Sequence, residues 1–386
     1  MNPLYKAMAT SVFERMSLGA AARGAINLGQ GFPDFGWAPE MIDAAARALT
    51  EGSNQYAPSR GLPVLREAVA AHYRRHFGEK ITPDHICVTS GATEAIAAAL
   101  LATITPGDEV IVMTPAYDAY APLVRRAGGV VREVALRPPG WRIERAAIAA
   151  ALSPATRAII LNNPHNPTGR LFDRAELEAV AAVAIANDLI VISDEVWEHV
   201  LLDGQRFTPL AVLPGMAERT IKCGSAGKIF SLTGRKIGWA VAMPELATLV
   251  ARAHQFLTFA SAPNLQAAVA FGLNEGDAWL APMQARFAAG RNRLVAGLGE
   301  AGFAVLPSAA TYFACVDLAA SRIELDDETF ASLALEQAGV AVIPLSPFAE
   351  TDPPRHLVRL CFAKRDQTID AGVAALRRAR EFALTA

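Results

Sequence analysis

The chain is poor in charge, in cysteine and in aromatic residues. Only 19% of its 386 residues are Asp, Glu, Lys or Arg, and 7% are aromatic. Its 36 basic and 38 acidic residues leave a net charge of −2, with no block of like charge. That argues against a nucleic-acid footprint and against a polybasic membrane patch. The four cysteines, Cys87, Cys223, Cys315 and Cys361, are dispersed, and none forms a CxxC pair. A disulfide framework and a cysteine-based zinc site are therefore not expected, and buried free thiols in a reducing compartment are. The opening MNPLYKAMATSVFERM lacks the apolar centre of a signal peptide, and no apolar run would span a bilayer. A cytoplasmic protein is the expectation. There is no internal repeat. What the chain does have is apolar mass: 52% of residues are hydrophobic, ample for two domains or one large domain with an appendage.

From about residue 85 the pattern alternates between strands and helices. HICVTS, DEVIVMTP, GVVREVAL, AIILNNPHNPTGR, LIVISDEVW, RTIKCGS and IGWAVAMP read as strands, with helices such as GATEAIAAALLATI and ELEAVAAVAIAN among them. Such alternation predicts an α/β fold with a mostly parallel sheet covered by helices. Ligands of such sheets bind at the carboxyl ends of the strands. Before this stretch, residues 1–27 read as an arm and a short helix, 38–50 as a helix opening at Pro39, and a further helix starts near Pro63, where proline suits a first helical position. Residues 247–297 read as helices, and 298–386 alternate again as a small α+β unit. The expected division is 1–45 as arm and part of the small domain, 46–285 as the large domain and 286–386 as the small one.

One stretch organises the chemistry: Ser225–Trp239, SAGKIFSLTGRKIGW. Lys228 stands between small and apolar neighbours, and Lys236 follows eight residues on. A desolvated lysine loses its proton more easily and becomes a nucleophile. A second cation suits a phosphate. The pair suggests pyridoxal phosphate, which carries an aldehyde and a phosphate at opposite ends of one ring. Several other sites fall just past predicted strand ends. Gly91, Ala92 and Thr93 open a helix whose first-turn N–H groups would cradle an anion, though a plain helix cap reads equally well. Asp194 in ISDEV could keep a ring nitrogen protonated, with Glu195 as its rival. Tyr117 could cover a ring face. Asn166 in NPHNPTG could hold a ring oxygen. Gly31 lies in LGQGFPDF, a ligand loop or an ordinary turn. Arg359 sits inside an apolar strand, HLVRLCFA, where a buried guanidinium needs an anion, either a ligand or a structural partner.

The whole pattern, S-x-G-K-x-F-x-x-T-G-x-K-x-G-W with the other motifs in order, resembles the class I/II aminotransferases of pyridoxal phosphate fold type I. The resemblance runs from LGQGFPDF to RLCFAK. It looks closest to the kynurenine aminotransferase, glutamine transaminase K and methionine aminotransferase group. It implies a seven-stranded, mostly parallel sheet in a large domain plus a small α+β domain. It implies that Lys228 carries the cofactor and that Gly91, Ala92, Thr93, Ser225 and Lys236 hold the phosphate. It implies that Tyr56 reaches the neighbouring subunit's phosphate in a homodimer, and that Gly31, Asn166 and Arg359 bind the substrate α-carboxylate. The implied reaction moves the amino group of a neutral, sulfur-containing or aromatic L-amino acid to a 2-oxo acid. A β-lyase acting on cysteine conjugates would use the same site, and a non-catalytic pyridoxal phosphate-binding regulator is the reading outside enzymes. Two positions depart from the family. DEVW puts Trp197 where a tyrosine is usual, either as packing or as a weaker donor to the ring oxygen. GRK puts Arg235 before Lys236, which reads as a surface change or as added charge near the phosphate.

Overall fold

The computed structural model describes residues 1–35 and 39–385. Its main sheet has seven strands: β1 (Ile86–Thr89), β2 (Glu109–Thr114), β3 (Val130–Ala135), β4 (Thr156–Asn162), β5 (Ile190–Asp194), β6 (Thr220–Ser225) and β7 (Gly238–Val241). Their order across the sheet is β1-β7-β6-β5-β4-β2-β3. Neighbours run parallel except β7, which is antiparallel to β1 and β6. Every residue of β1, β2 and β7 is buried, as a sheet with helices on both faces requires. Alternation along β2 divides its side chains between two cores: Ile111 and Met113 face one, Val110 and Val112 the other. Each fully buried side chain of this kind contributes roughly 1.5–3 kcal/mol. Edge strand β3 exposes Val130 and Arg132, and its Arg132 and Glu133 discourage further pairing.

The register of the central strands positions the site. Asn162 at the end of β4 pairs with Asp194 at the end of β5, and Asp194 pairs with Cys223 of β6. Three parallel strands therefore finish level, and the segments leaving them must emerge side by side.

A second, four-stranded antiparallel sheet runs Ile343–Pro344, Leu357–Cys361, Phe313–Asp317, Ala304–Val305. Helices Leu280–Glu300, Asp327–Glu336 and Asp366–Thr385 accompany it. Strand Ile26–Asn27 pairs in parallel with Val340–Ala341, which ties the N-terminal segment to this part. That segment holds two helices, Pro3–Ala7 and Val12–Arg23, where one was expected. The second has its own start and stop signals: Ser11 accepts from the Phe13 N–H at 3.3 Å, and Gly24 closes it in the left-handed conformation. Residue 38 of the helix expected over 38–50 lies outside the described residues. The observed helix, Pro39–Glu51, packs Ala44 and Ala45 against Ala268 of helix Pro263–Asn274. We propose the domain division 1–45, 46–285 and 286–386, supported by the separate second sheet. The packing of Pro39–Glu51 argues for moving the first boundary a few residues earlier. All four cysteines are buried and unbonded. Among the described residues no helix is long and apolar enough to cross a membrane.

Candidate active site

A cavity of about 580 Å³ opens at the carboxyl ends of the main sheet. Gly31, Gly91, Ala92, Thr93, Tyr117, Asn166, Asp194, Trp197, Ser225, Lys228, Lys236 and Arg359 all line it. They come from several segments, most of them directly after a strand. β6 runs into the short helix Ala226–Ile229, which presents Lys228. β5 ends on Asp194, β1 leads to Gly91, and the loop after β4 carries Asn166. Tyr56 does not line the cavity. It is 87% exposed, with its ring edge-on to Phe259 at 5.5 Å. Arg235 also lies off the cavity and donates to the Met41 carbonyl at 3.5 Å. That favours a change away from the phosphate end.

The Lys228 amine donates to the Tyr312 hydroxyl at 3.0 Å and stands 4.5 Å over the Trp197 ring. Burial lowers its pKa from 10.5 to about 8, and the positive charges of Arg359 and Lys236 push the same way. An amine so placed is available as a nucleophile and proton carrier near neutral pH. Asp194 is buried, and burial raises its pKa. Opposing this, the Tyr120 hydroxyl donates to Oδ2 at 2.6 Å, the Val196 N–H donates to Oδ1 at 3.3 Å, and Lys228 attracts the negative charge. Direction separates Asp194 from its rival Glu195. Asp194 faces the cavity, whereas Glu195 turns away, with Oε2 3.2 Å from Lys222.

Arg359 is 1% exposed. Its Nη1 donates to Asn166 Oδ1 at 2.8 Å and its Nη2 to the Gly29 carbonyl at 3.1 Å, while Nε has no partner. The guanidinium lies 3.9 Å from the Phe313 ring centre. No carboxylate pairs with it among the described residues. Burial lowers its pKa to about 10, so it remains a cation at neutral pH. A buried cation with no carboxylate in direct contact suits a ligand's anion.

The cradle at the other end rests on Gly91. Its φ of +83° is a conformation that glycine adopts without strain. No side chain caps helix Ala92–Thr103, so its first-turn N–H groups remain available. A Cβ on Gly91 would stand 3.2 Å from the Lys236 amine, which places that cation beside the same turn.

Three contributors were not anticipated. Tyr312 donates to the Gly31 carbonyl at 2.6 Å while accepting from Lys228. Tyr120 supports Asp194. Asn162 donates to the Asp194 carbonyl at 3.0 Å and accepts the Asn166 N–H at 2.8 Å. Asn162 stands in AIILNNPHNPTGR, Tyr120 three residues after Tyr117, and Tyr312 in the C-terminal α+β stretch. Their types gave no reason to prefer them over their neighbours. Ser11, Phe13, Glu14 and Ser17 of the N-terminal segment also reach the cavity, without any motif. Trp197 is 2% exposed, packs edge-on to Tyr312 at 4.4 Å and lines the cavity, so it combines packing with a place at the site.

A family model for aminotransferase class I and II matches residues 23–376. The chain belongs to the class I/II aminotransferases. It is 46% identical to a probable N-succinyldiaminopimelate aminotransferase of Mycobacterium tuberculosis over 95% of this chain and 96% of that one. It is 38% identical to the methionine aminotransferase of Escherichia coli, over 96% of each. The solved structure of the N-succinyldiaminopimelate aminotransferase from Mycobacterium tuberculosis aligns with a TM-score of 0.95 at 45% identity, covering 98% of this chain and all of that one. The enzyme is thus a transaminase of fold type I that uses pyridoxal phosphate with amino and 2-oxo acids. The residues fit that cofactor: an uncapped helix start with a lysine beside it, a lowered-pKa amine, a buried carboxylate and an unpaired guanidinium share one cavity.

Proposed function

We propose that this transaminase takes the amino group of a neutral, sulfur-containing or aromatic L-amino acid and passes it to a 2-oxo acid. Bound pyridoxal phosphate supplies the aldehyde that receives the amino group and a ring that draws electrons from the substrate's Cα. Lys228 would hold the cofactor, and its amine, with a pKa of about 8, would carry the proton from the substrate's Cα. Tyr312 holds the Lys228 amine in position. Asp194, fixed by Tyr120, keeps a proton on the ring nitrogen. Gly91, Ala92, Thr93, Ser225 and Lys236 hold the phosphate, Tyr117 covers the ring, and Trp197 lies on the side of the Lys228 amine. Asn166 and Arg359, with Gly31, take the substrate α-carboxylate.

The observation that carries the substrate class is the count of cations. Among the described lining residues only Lys228, Lys236 and Arg359 are cationic, and each has a task above. None is left for a second carboxylate. Near Arg359 the walls carry the rings of Phe13 and Phe313 and the carboxylate of Asp118. A substrate with a neutral or aromatic side chain suits that lining. The 46% identical relative supports a second reading, an N-succinylated diamino acid. That substrate would need a further cation, for which a neighbouring subunit is the remaining source. We also propose a homodimer with shared sites. Tyr56 is supported in that role by its exposure beside Phe256 (86% exposed), Leu257 and Phe259, an apolar patch that invites a partner.

Half-reaction spectra of the cofactor-loaded enzyme test the substrate. Methionine and aromatic amino acids should convert the cofactor's absorption band at lower concentrations than glutamate or N-succinyldiaminopimelate. Conversion by the acidic substrates alone would overturn the reading. Mixing Lys228→Ala with Tyr56→Phe chains tests the dimer. Activity above either parent is expected, and none after verified subunit exchange would count against shared sites.

A further inference from the structure

Away from the cavity, three histidines meet. His72 and His76 lie on helix Pro63–Phe77, and His199 comes from the turns that follow β5. Residues four apart on a helix share one face, and His199 supplies the third corner. One ring nitrogen from each lies within 4.8 Å of the others. The ring centres form a near-equilateral triangle with sides of 4.4, 4.8 and 4.7 Å. His72 Nε2 and His199 Nε2 are 2.8 Å apart. His72 and His199 are buried, while the His76 side chain keeps 13% of its surface exposed and offers a way in. His72 Nδ1 is buried with no hydrogen-bond partner, so the protein's own bonds do not satisfy this ring. Asp277 stands 2.9 Å from His76 Nε2.

We propose that His72, His76 and His199 bind one late first-row divalent cation, zinc being the type case, with Asp277 orienting His76. Imidazole nitrogen suits Zn²⁺, Co²⁺ and Ni²⁺. Zinc–nitrogen bonds of about 2.0–2.1 Å in a tetrahedron put ligand atoms roughly 3.4 Å apart. The close His72–His199 pair has to open slightly and the third ring to move in, which side-chain rotation can supply. Metal ligation needs neutral imidazoles. Burial lowers the pKa of His72 well below its usual value, takes His199 to about 3 and lowers His76 as well. The nearest cations are already matched: Lys222 by Glu79 and Glu195, and Arg75 by Asp277. A carboxylate bonded to a ligating histidine is a usual outer partner of such sites. A bound ion would cross-link helix Pro63–Phe77 to the segment that leaves Asp194.

The competing outcome is a His72–His199 hydrogen bond inside an aromatic cluster that includes Phe77 and Trp279. Untagged, cofactor-loaded enzyme titrated with Co²⁺ should develop the visible ligand-field bands of tetrahedral cobalt. Equilibrium dialysis with Zn²⁺ should count one ion per chain. His76→Ala should weaken zinc binding at least tenfold, whereas His356→Ala, remote in the fold, should leave it unchanged. Zinc should raise the Tm of the wild type and not that of His76→Ala. Wild-type enzyme without cobalt bands would overturn the proposal whatever the variants do. So would equal zinc affinity in the wild type and His76→Ala.

Discussion

Two lysines six residues apart, Lys222 buried and Lys228 half-buried in the cavity wall, have opposite surroundings. Lys222, inside β6, is bonded to Glu79 and lies 3.2 Å from Glu195, with Glu198 close by and the Tyr73 ring beneath it at 4.0 Å. Burial would lower its pKa, but the carboxylates outweigh that and the net shift is upward. Lys228, just past the same strand, meets a hydroxyl, an indole, two other cations and only the more distant charge of Asp194, and its pKa falls to about 8. Both lysines lose water. What separates them is the counter-charge: the matched one holds the structure together, and the unmatched one is left free to react. The neighbouring carboxylates divide the same way, Glu195 serving Lys222 and Asp194 facing the cavity.

The largest effects should come from exchanging these lysines. Lys228→Ala should abolish turnover. Lys222→Met should leave the cavity's chemistry in place but cost about 3–5 kcal/mol of stability, because it strands buried carboxylates. Stability of the cofactor-free protein sharpens the contrast. A lysine whose folded pKa lies below its ordinary 10.5 destabilises the fold in full below about pH 8, and that cost fades as pH rises toward 10.5. Lys228→Met should therefore raise the Tm at pH 7 while Lys222→Met lowers it, as thermal unfolding would register. If both variants moved in the same direction, the contrast would fail.

A smaller effect is expected at Arg359. Lysine cannot reproduce a bidentate guanidinium, so Arg359→Lys should raise the KM for both amino and 2-oxo acids, while cofactor content stays normal. Unchanged KM values would reduce Arg359 to a packing role. Smaller again is the effect expected at Tyr120. Tyr120→Phe removes the 2.6 Å bond to Asp194, a bond to a charged group that contributes about 1.5–3 kcal/mol. Burial then raises the Asp194 pKa with less opposition. Because ionised Asp194 is the active form, activity should be lost at a higher pH as pH falls. The pH profile of kcat/KM would detect the shift of its acidic limb, and an unmoved limb would contradict the assignment.

Much of this site was legible in the sequence because each feature is local. Lys228, Asp194, Asn166 and Gly91 fall where a strand pattern ends, and parallel strands put such ends on one edge of a sheet. Lys222 and Glu195 lie in the same motifs, but nothing in their spacing says that they face away from the cavity. Tyr312 was invisible for a different reason: it reaches Lys228 from 84 residues away, from the turn just before strand Phe313–Asp317 of the second sheet. The N-terminal helix Val12–Arg23 and the histidine triangle are likewise products of packing between distant segments. The role proposed for Tyr56 would need a second chain.

The central claim is that Lys228, and not the more deeply buried Lys222, bonds covalently to the cofactor. Borohydride reduction of the loaded enzyme, followed by proteolysis and peptide sequencing, tests it directly. The label should appear on Lys228 in SAGKIF, at one per chain. Label on Lys222, or on any lysine other than Lys228, would contradict the account.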